Sequence, residues 1–189
     1  MKIKEYFSLL LNTLMFPTRA FEQVLAKKTV FHVIYYMSFT CLLGAIMALT
    51  IAFNPEEYMA SGITEDNLIQ MVSIPLITMP FFFFIFALYF DFAQSVMFKI
   101  KNMTLNYFKT VLWSFHFFVI MMFLSAPVAV MASKIYIDLG FAFLLMPFFY
   151  FAFLLFWGLK VSATKTAFKT IATFVIGGLV FYIPFYLLY

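Results

Sequence analysis

Charged side chains are scarce in this sequence: they make up 11% of its 189 residues, against 66% hydrophobic residues, and the mean hydropathy is +1.03. A chain with so few charges does not have the composition of a soluble globular protein. Six glycines and seven prolines are too few for a low-complexity linker. The sequence therefore predicts a single all-α protein embedded in a membrane.

Residues that bind metals or carry out catalysis are equally rare. Cys41 is the single cysteine, and the two histidines, His32 and His116, have no second ligand at metal-site spacing. No catalytic triad pattern, glycine-rich phosphate loop or zinc motif occurs. The net charge of +4 comes from residues scattered between apolar segments, which is not typical of a nucleic-acid-binding patch. We therefore expect no enzyme, no cofactor, no metal and no nucleic-acid partner.

Five apolar segments are long enough to cross a bilayer core of roughly 30 Å, which needs about 20 helical residues. They run from about 30 to 53, 68 to 98, 110 to 132, 135 to 159 and 170 to 189. The sequence thus predicts a five-helix transmembrane domain over residues 30–189. Residues 1–29 precede it as a cytoplasmic juxtamembrane segment.

The positive charges are distributed unevenly about these predicted spans. Residues 1–29 contain five Lys or Arg, the second-to-third connection contains three, the fourth-to-fifth connection contains three, and the other side contains only Lys134. Cytoplasmic loops are enriched in Lys and Arg, so we expect a cytoplasmic N-terminus and, with an odd number of spans, an extracytoplasmic C-terminus. Trp113 and Trp157 lie four and three residues from a lysine on the basic side, where an aromatic belt is expected.

Asp91 is an acid inside a predicted span, a costly position that by default marks a functional site. It lies eight residues before Lys99, about 12 Å along a helix. Gln94 and Ser95 follow at helical spacing and share its face. That polar face is expected to point toward protein, unless Asp91 only reaches back toward Lys99 and water.

His116 lies seven residues after Lys109, roughly 10 Å into the third span. If the second and third spans form an antiparallel hairpin, Asp91 and His116 arrive at a similar depth and could pair. Such a pair would be either a polar clasp that fixes helix register or a proton or ion site in which His116 titrates near neutral pH.

The N-terminal segment contains two amphipathic stretches. Apolar residues recur at helical spacing from Ile3 to Phe16, and Pro17 then occupies a position that a first helical turn accepts. Beyond it, one face consists of Ala20, Phe21, Val24 and Leu25, and the other of Thr18, Arg19, Glu22 and Gln23. This pattern predicts a helix in the cytoplasmic interface, with Phe21 inward and Arg19 able to pair with Glu22 or Gln23. The candidate contacts with the membrane or a partner are Pro17, Arg19, Phe21 and Glu22.

The stretch FPTRAFEQVL is similar to the proline-x-x-x-phenylalanine-glutamate segment before the first span in bacterial members of the Yip/Yif (Ypt-interacting protein) family, with Pro17, Ala20, Phe21 and Glu22 at the matching positions. Two further stretches resemble that family: LNYFKTVLWSFHFFVIMMFLSAPVAVM and WGLKVSATKTAFKTIATFVI. The chain departs from the family pattern at KNMTLN, where a glycine-rich turn is usual. The resemblance implies a non-catalytic five-span scaffold in a bacterial plasma (inner) membrane, and the Rab-type GTPase contacts of eukaryotic members are not expected here.

Our leading hypothesis is therefore a Yip-like integral membrane scaffold or modulator of membrane organisation. It contacts the lipid bilayer, and its candidate partners are other membrane proteins or a second copy of itself. The alternative is a small oligomeric transporter or channel in which Asp91 and His116 line a polar path.

Overall fold

The structure is a computed structural model that describes residues 3–53, 65–100, 102–164 and 166–176. In these ranges the chain is helical and has no strand, which confirms the predicted all-α fold for this part of the sequence. The helices are α1 (Ile3–Met15), α2 (Pro17–Ala26), α3 (Thr29–Phe53), α4 (Glu65–Phe98), α5 (Thr104–Ser133), α6 (Ile137–Leu159) and α7 (Ala167–Ile176), with a π-helical turn at Lys160–Thr164 between the last two.

Among the residues that the structure describes, three helices are long and apolar enough to cross a membrane. The qualifying stretches are Thr78–Phe98 in α4, Thr104–Ala129 in α5, and Asp138–Ala163 in α6 with the π-helical turn. Large apolar side chains on them are exposed, such as Phe81 at 71% and Phe149 at 74%, as expected for lipid-facing positions. In the described part of the chain, Thr29–Leu42 and Ala167–Ile176 are shorter apolar helices. The predicted last span continues beyond residue 176, outside the described residues.

Helix α5 lies at the centre of the described bundle, in contact with α2, α3, α4 and α6. A short turn at Lys134 to Tyr136 joins α5 to α6, so these two helices pack against each other as an antiparallel pair. One buried cluster joins α3, α4, α5 and α6 and includes Tyr36, Phe90, Tyr107, Leu112, Leu155 and Leu159. A second cluster joins α1 and α2 to α5 and α6 and includes Leu9, Phe21, Val24, Trp113, Phe117 and Leu154. The N-terminal segment is therefore packed onto the bundle.

The chain breaks between α1 and α2 at Phe16, as the sequence predicts. A residue before proline is disfavoured in the helical region, and Phe16 has φ −138° and ψ 65°. Pro17 has no N–H and occupies the first turn of α2, where backbone N–H groups have no partner within the helix. The first helix thus ends where predicted, and α2 leaves it in a new direction.

Helix α5 begins at Thr104, six residues before the predicted span start at about 110. The preceding turn has two residues in the left-handed region, Lys99 (φ 57°) and Asn102 (φ 64°). Lys99 N–H donates to Ser95 O at 3.2 Å, which ends α4 with a left-handed C-cap. The predicted start was late because hydropathy shows only where a helix becomes apolar. The first and last residues of a helix are instead set by its caps.

Candidate functional site

The apolar face of α2 packs against protein. Ala20, Phe21 and Val24 are each 0% exposed, and their cluster includes residues of α5 and α6. The prediction that Phe21 points inward is confirmed. Phe21, a candidate contact with the membrane or a partner in the sequence analysis, packs against α5 and α6 of its own chain.

Gly158 on α6 allows the Phe21 ring to lie close to the α6 backbone. A Cβ atom at position 158 would lie 2.8 Å from Cε1 of Phe21 and would overlap the Cγ2 methyl group of Thr110. Real Cβ atoms do not approach other atoms so closely, so any side chain here would force the Phe21 ring or the Thr110 side chain to move. We refer to Phe21, Thr110 and Gly158 as the Phe21 contact.

The polar face of α2 remains exposed. Arg19 and Glu22 are both exposed, and the Arg19 guanidinium carbon lies 5.5 Å from the centroid of the Phe16 ring. Glu22 lines an open groove of about 280 Å³ whose other residues include Trp157 and Lys160. Pro17 is half-buried at the start of the helix. Of the predicted contact residues, Phe21 is therefore buried, whereas Arg19 and Glu22 face outward.

Two side chains from other helices bind the C-terminal carbonyl groups of α2. His32 of α3 donates from Nε2 to Val24 O at 2.9 Å, and Lys109 of α5 donates from Nζ to Leu25 O at 2.9 Å. The last carbonyls of a helix lack partners within it and carry partial negative charge, so a lysine there is favourable. The sequence signals neither contact: His32 follows Val24 by eight residues across the break between α2 and α3, and Lys109 follows Leu25 by 84 residues.

Helix α1 is held to the bundle by polar contacts. Trp113 Nε1–H donates to Thr13 Oγ1 at 3.1 Å, and the Tyr150 hydroxyl donates to Thr13 O at 3.0 Å. The Tyr6 hydroxyl and His116 Nε2 lie 2.5 Å apart. Trp113 is only 2% exposed, so its predicted position in an aromatic belt is wrong. Its indole joins α1 to α5 and does not meet the membrane surface.

Tyr6 lies beside α5 in a partly buried aromatic environment. Its ring stacks on Tyr35 with centroids 5.5 Å apart and meets His116 edge-on at 5.8 Å. Burial, with a smaller contribution from the neighbouring Tyr35, raises the pKa of the Tyr6 phenol to about 12. The phenol therefore stays protonated at neutral pH and can donate to His116 Nε2.

Asp91 binds the N-terminus of α5. Its Oδ1 accepts from Met103 N–H at 3.1 Å, and its Oδ2 accepts from the Thr104 hydroxyl at 2.6 Å. A carboxylate at this position satisfies a backbone donor that has no partner in the helix and faces the positive end of the helix dipole. Asp91 thus fastens α4 to the first turn of α5.

The predicted pairing of Asp91 with His116 is not found. Asp91 contacts the first residues of α5, whereas His116 comes twelve residues after Thr104, about 18 Å along the helix axis. The prediction counted depth from Lys99 and Lys109, whereas Asp91 lies level with Met103 and Thr104 at the start of α5. Each has its own partner on a different helix, and His116 bonds to Tyr6.

Gln94 and Ser95 have different roles despite sharing a helical face with Asp91. Gln94 is 0% exposed and its Nε2 donates to Thr173 Oγ1 of α7. Ser95 is half-buried, and its carbonyl accepts the Lys99 N–H at the end of α4. The polar face is therefore turned toward protein, as predicted, and Gln94 joins α4 to α7.

Several buried polar atoms in the described ranges have no hydrogen-bond partner: His32 Nδ1, Gln94 Oε1, Tyr107 Oη, Thr110 Oγ1, Ser114 Oγ and His116 Nδ1. Three of them, on Tyr107, Thr110 and Ser114, lie on one face of α5 at helical spacing. Such atoms usually bind water or a ligand when protein offers no partner. Among the residues that the structure describes, no three His, Cys, Asp or Glu side chains are grouped so that they could hold a metal ion.

No family model, curated protein or solved structure matches the chain. The class that the fold defines is an all-helical protein with helices able to cross a membrane. The resemblance to the Yip/Yif family stays a prediction.

Proposed function

We propose that the protein is a non-catalytic integral membrane scaffold of Yip-like type that organises the membrane or partner proteins. The observation that supports this proposal is the state of α2: Phe21 is fully buried while Arg19 and Glu22 on the same helix are exposed. A helix held to the bundle by its apolar face presents its charged face in a fixed geometry. Fixed presentation reduces the ordering cost of binding a partner.

The contacts of the buried polar groups agree with a structural role. Asp91, Gln94 and His116 each bond to a residue on another helix. Polar side chains that bond between helices are a common means of holding membrane helices together. These residues therefore serve the packing of the scaffold.

The proposal includes a topology with five spans, an N-terminus in the cytoplasm and an extracytoplasmic C-terminus, in the plasma membrane. It is supported by the asymmetry of Lys and Arg in the sequence. It is also supported by the three apolar helices α4, α5 and α6.

A photocrosslinking experiment tests the scaffold proposal. A photoreactive amino acid is placed at Arg19, at Glu22 or, as a buried control, at Phe21, in protein expressed in its native membrane. We expect adducts with the same partner or partners from positions 19 and 22, and only intramolecular products from position 21. Adducts no more abundant at positions 19 and 22 than at position 21 would overturn the proposal.

A small oligomeric transporter or channel remains a second candidate because of one observation, the face of α5 with partnerless hydroxyl groups on Tyr107, Thr110 and Ser114. A file of water along these groups would give a polar path. The separation of Asp91 from His116 counts against this candidate, because the two titratable groups that would carry a proton do not meet.

A further inference from the structure

A groove of about 620 Å³ lies between α1 and the end of α2. Lys4, Glu5 and Ser8 line it from α1, and Gln23 and Lys27 line it from the other side. Both lysines are exposed. Two ammonium groups and one carboxylate give the groove a net charge of +1, which matches the single negative charge of a phosphodiester.

A smaller cavity of about 60 Å³ shares the lining residues Leu9 and Lys27 with this groove. The cavity is otherwise lined by Phe31, His32, Tyr35 and Trp113. A water molecule needs about 10–15 Å³ of such volume. The cavity therefore has room for the end of a glycerol headgroup and is too small for an acyl chain.

His32 gives the cavity a hydrogen-bonding requirement. The side chain is 5% exposed, and its Nε2 donates to Val24 O, which as a carbonyl can only accept. In the neutral ring the other nitrogen, Nδ1, is then an acceptor, and it has no partner. A buried acceptor of this kind calls for a donor such as a hydroxyl group.

Large apolar side chains of α1 and α3, the helices that contribute to the groove and cavity, are exposed. Phe7 and Leu11 of α1 are 59% and 60% exposed, and Val30 and Ile34 at the start of α3 are 62% and 53% exposed. Large apolar side chains next to exposed lysines are typical of the boundary between lipid tails and headgroups.

We propose that the groove and cavity bind one phosphatidylglycerol molecule, with its phosphate between Lys4 and Lys27 and its headgroup hydroxyl donating to His32 Nδ1. The phosphate satisfies the charge of the groove, the hydroxyl satisfies the buried nitrogen, and the acyl chains lie along the exposed apolar side chains of α1 and α3. This inference requires that the protein resides in a membrane but does not depend on the scaffold role.

Lipid titration of the full chain, purified in detergent, tests the headgroup. Bound lipid is measured by native mass spectrometry for phosphatidylglycerol, for phosphatidylmethanol, which has the same charge and no headgroup hydroxyl, and for phosphatidylethanolamine. Loss of one hydrogen bond to a buried acceptor predicts about fivefold weaker binding of phosphatidylmethanol. Phosphatidylethanolamine is expected to bind more weakly still, because it has no net charge. Equal binding of all three lipids would overturn the proposal.

Charge variants test the phosphate position. Lys4→Gln with Lys27→Gln is expected to weaken phosphatidylglycerol binding about tenfold or more, since each lysine near an anionic lipid contributes roughly 1 kcal/mol, about a fivefold change in affinity. The matched control, Lys28→Gln with Lys134→Gln, removes the same charge from exposed positions outside the groove and is expected to change binding less than twofold. Equal losses in both double variants would show general surface attraction and would overturn the site.

Free sn-glycerol 3-phosphate distinguishes a lipid site from a soluble-phosphate site. We expect it to bind at least a hundredfold more weakly than phosphatidylglycerol, and comparable binding would overturn the lipid assignment. Because Lys4 and Lys27 are exposed, the double variant should keep the melting temperature of the wild type, which is measured alongside. Failure of this site would leave crosslinking from Arg19 and Glu22 unaffected.

Discussion

At Gly158 a single missing side chain allows α2, α5 and α6 to meet. The Phe21 ring and the Thr110 methyl group both fill the space that a Cβ atom would occupy. Overpacking of such a contact typically costs about 1–3 kcal/mol. Gly158 and Phe21 therefore form one packing unit, although they are distant in the sequence.

Gly158→Ala is expected to destabilise the protein despite the higher helix propensity of alanine, which returns at most about 1 kcal/mol. Unfolding in mixed micelles measures the loss. Phe21→Leu and Thr110→Ser are introduced separately into the Gly158→Ala background, and each is expected to recover part of the loss because it removes a clashing group. Fully additive costs in the double variants would contradict the Phe21 contact.

Tyr6 offers a test based on pH. Its pKa is raised to about 12 by burial and by Tyr35, so the folded state retains the phenol proton to a higher pH than the unfolded state. The contribution of Tyr6 to stability is then fully present below pH of about 10 and is lost as the pH rises toward about 12.

Tyr6→Phe is expected to lower the melting temperature at pH 7, because it removes the hydrogen bond to His116, worth about 1 kcal/mol. The difference between wild type and variant should shrink between pH 10 and pH 12, since only the wild type loses this proton. Melting curves in detergent over pH 7–12 measure both effects, and the comparison cancels the other tyrosines. A difference that stays constant across this range would contradict a raised pKa of the Tyr6 phenol.

At the scale of the element, α2 is fixed to the bundle in two ways. Phe21 on its apolar face is buried, and His32 and Lys109 bind the carbonyl groups at its C-terminus. A charged donor on a helix carbonyl typically contributes about 1–2 kcal/mol when partly buried. The helix is only ten residues long and would be marginal in isolation. Its order therefore depends on these contacts.

Lys109→Met is expected to loosen α2 while leaving the long helices intact, because the methionine stem can still pack but cannot bind Leu25 O. Amide hydrogen exchange should accelerate in α2, while protection in α5 and α6 is retained. Lys28→Met removes the same charge from an exposed neighbour and serves as the matched control. Equal acceleration in both variants would mean that charge alone, and not the contact with Leu25 O, stabilises α2.

The sequence predicted local features of these elements well and contacts between them poorly. The start of α2 at Pro17 and the inward face with Phe21 follow from proline chemistry and helical spacing, which are properties of the segment itself. The partners of Asp91 and His116 depend on where α5 begins, and that position is set by caps formed with another helix. The close contact at Gly158 could not be predicted from the sequence either, because the Phe21 ring that occupies its space lies more than a hundred residues earlier in the chain.

At the scale of the whole molecule, the described residues include three helices able to cross a membrane, and the two N-terminal helices α1 and α2 pack against α5 and α6. Many large apolar side chains of the long helices are exposed, whereas the polar side chains of Asp91 and Gln94 bond between helices. This arrangement is typical of a membrane protein whose polar residues specify packing. Orientation tests the proposed topology, and conduction separates the scaffold from the transporter or channel.

The orientation is tested with reporters fused after the last residue. A C-terminal alkaline phosphatase, which is active only outside the cytoplasm, is expected to be active, and a C-terminal green fluorescent protein, which fluoresces only inside, is expected to be dark. A fusion of the fluorescent protein to the N-terminus is the matched control and should fluoresce. The opposite pattern at the C-terminus would refute the proposal of five spans.

The claim that the polar groups hold helices together, and do not form a path, is tested most directly by flux. The purified protein is reconstituted into liposomes that contain a pH-sensitive dye, and proton flux is compared for the wild type and Asp91→Asn. Our account predicts no flux above protein-free liposomes in either case, together with a loss of stability in the variant of about 0.5–1 kcal/mol from the weakened cap on α5. Flux in the wild type that disappears in Asp91→Asn would contradict it.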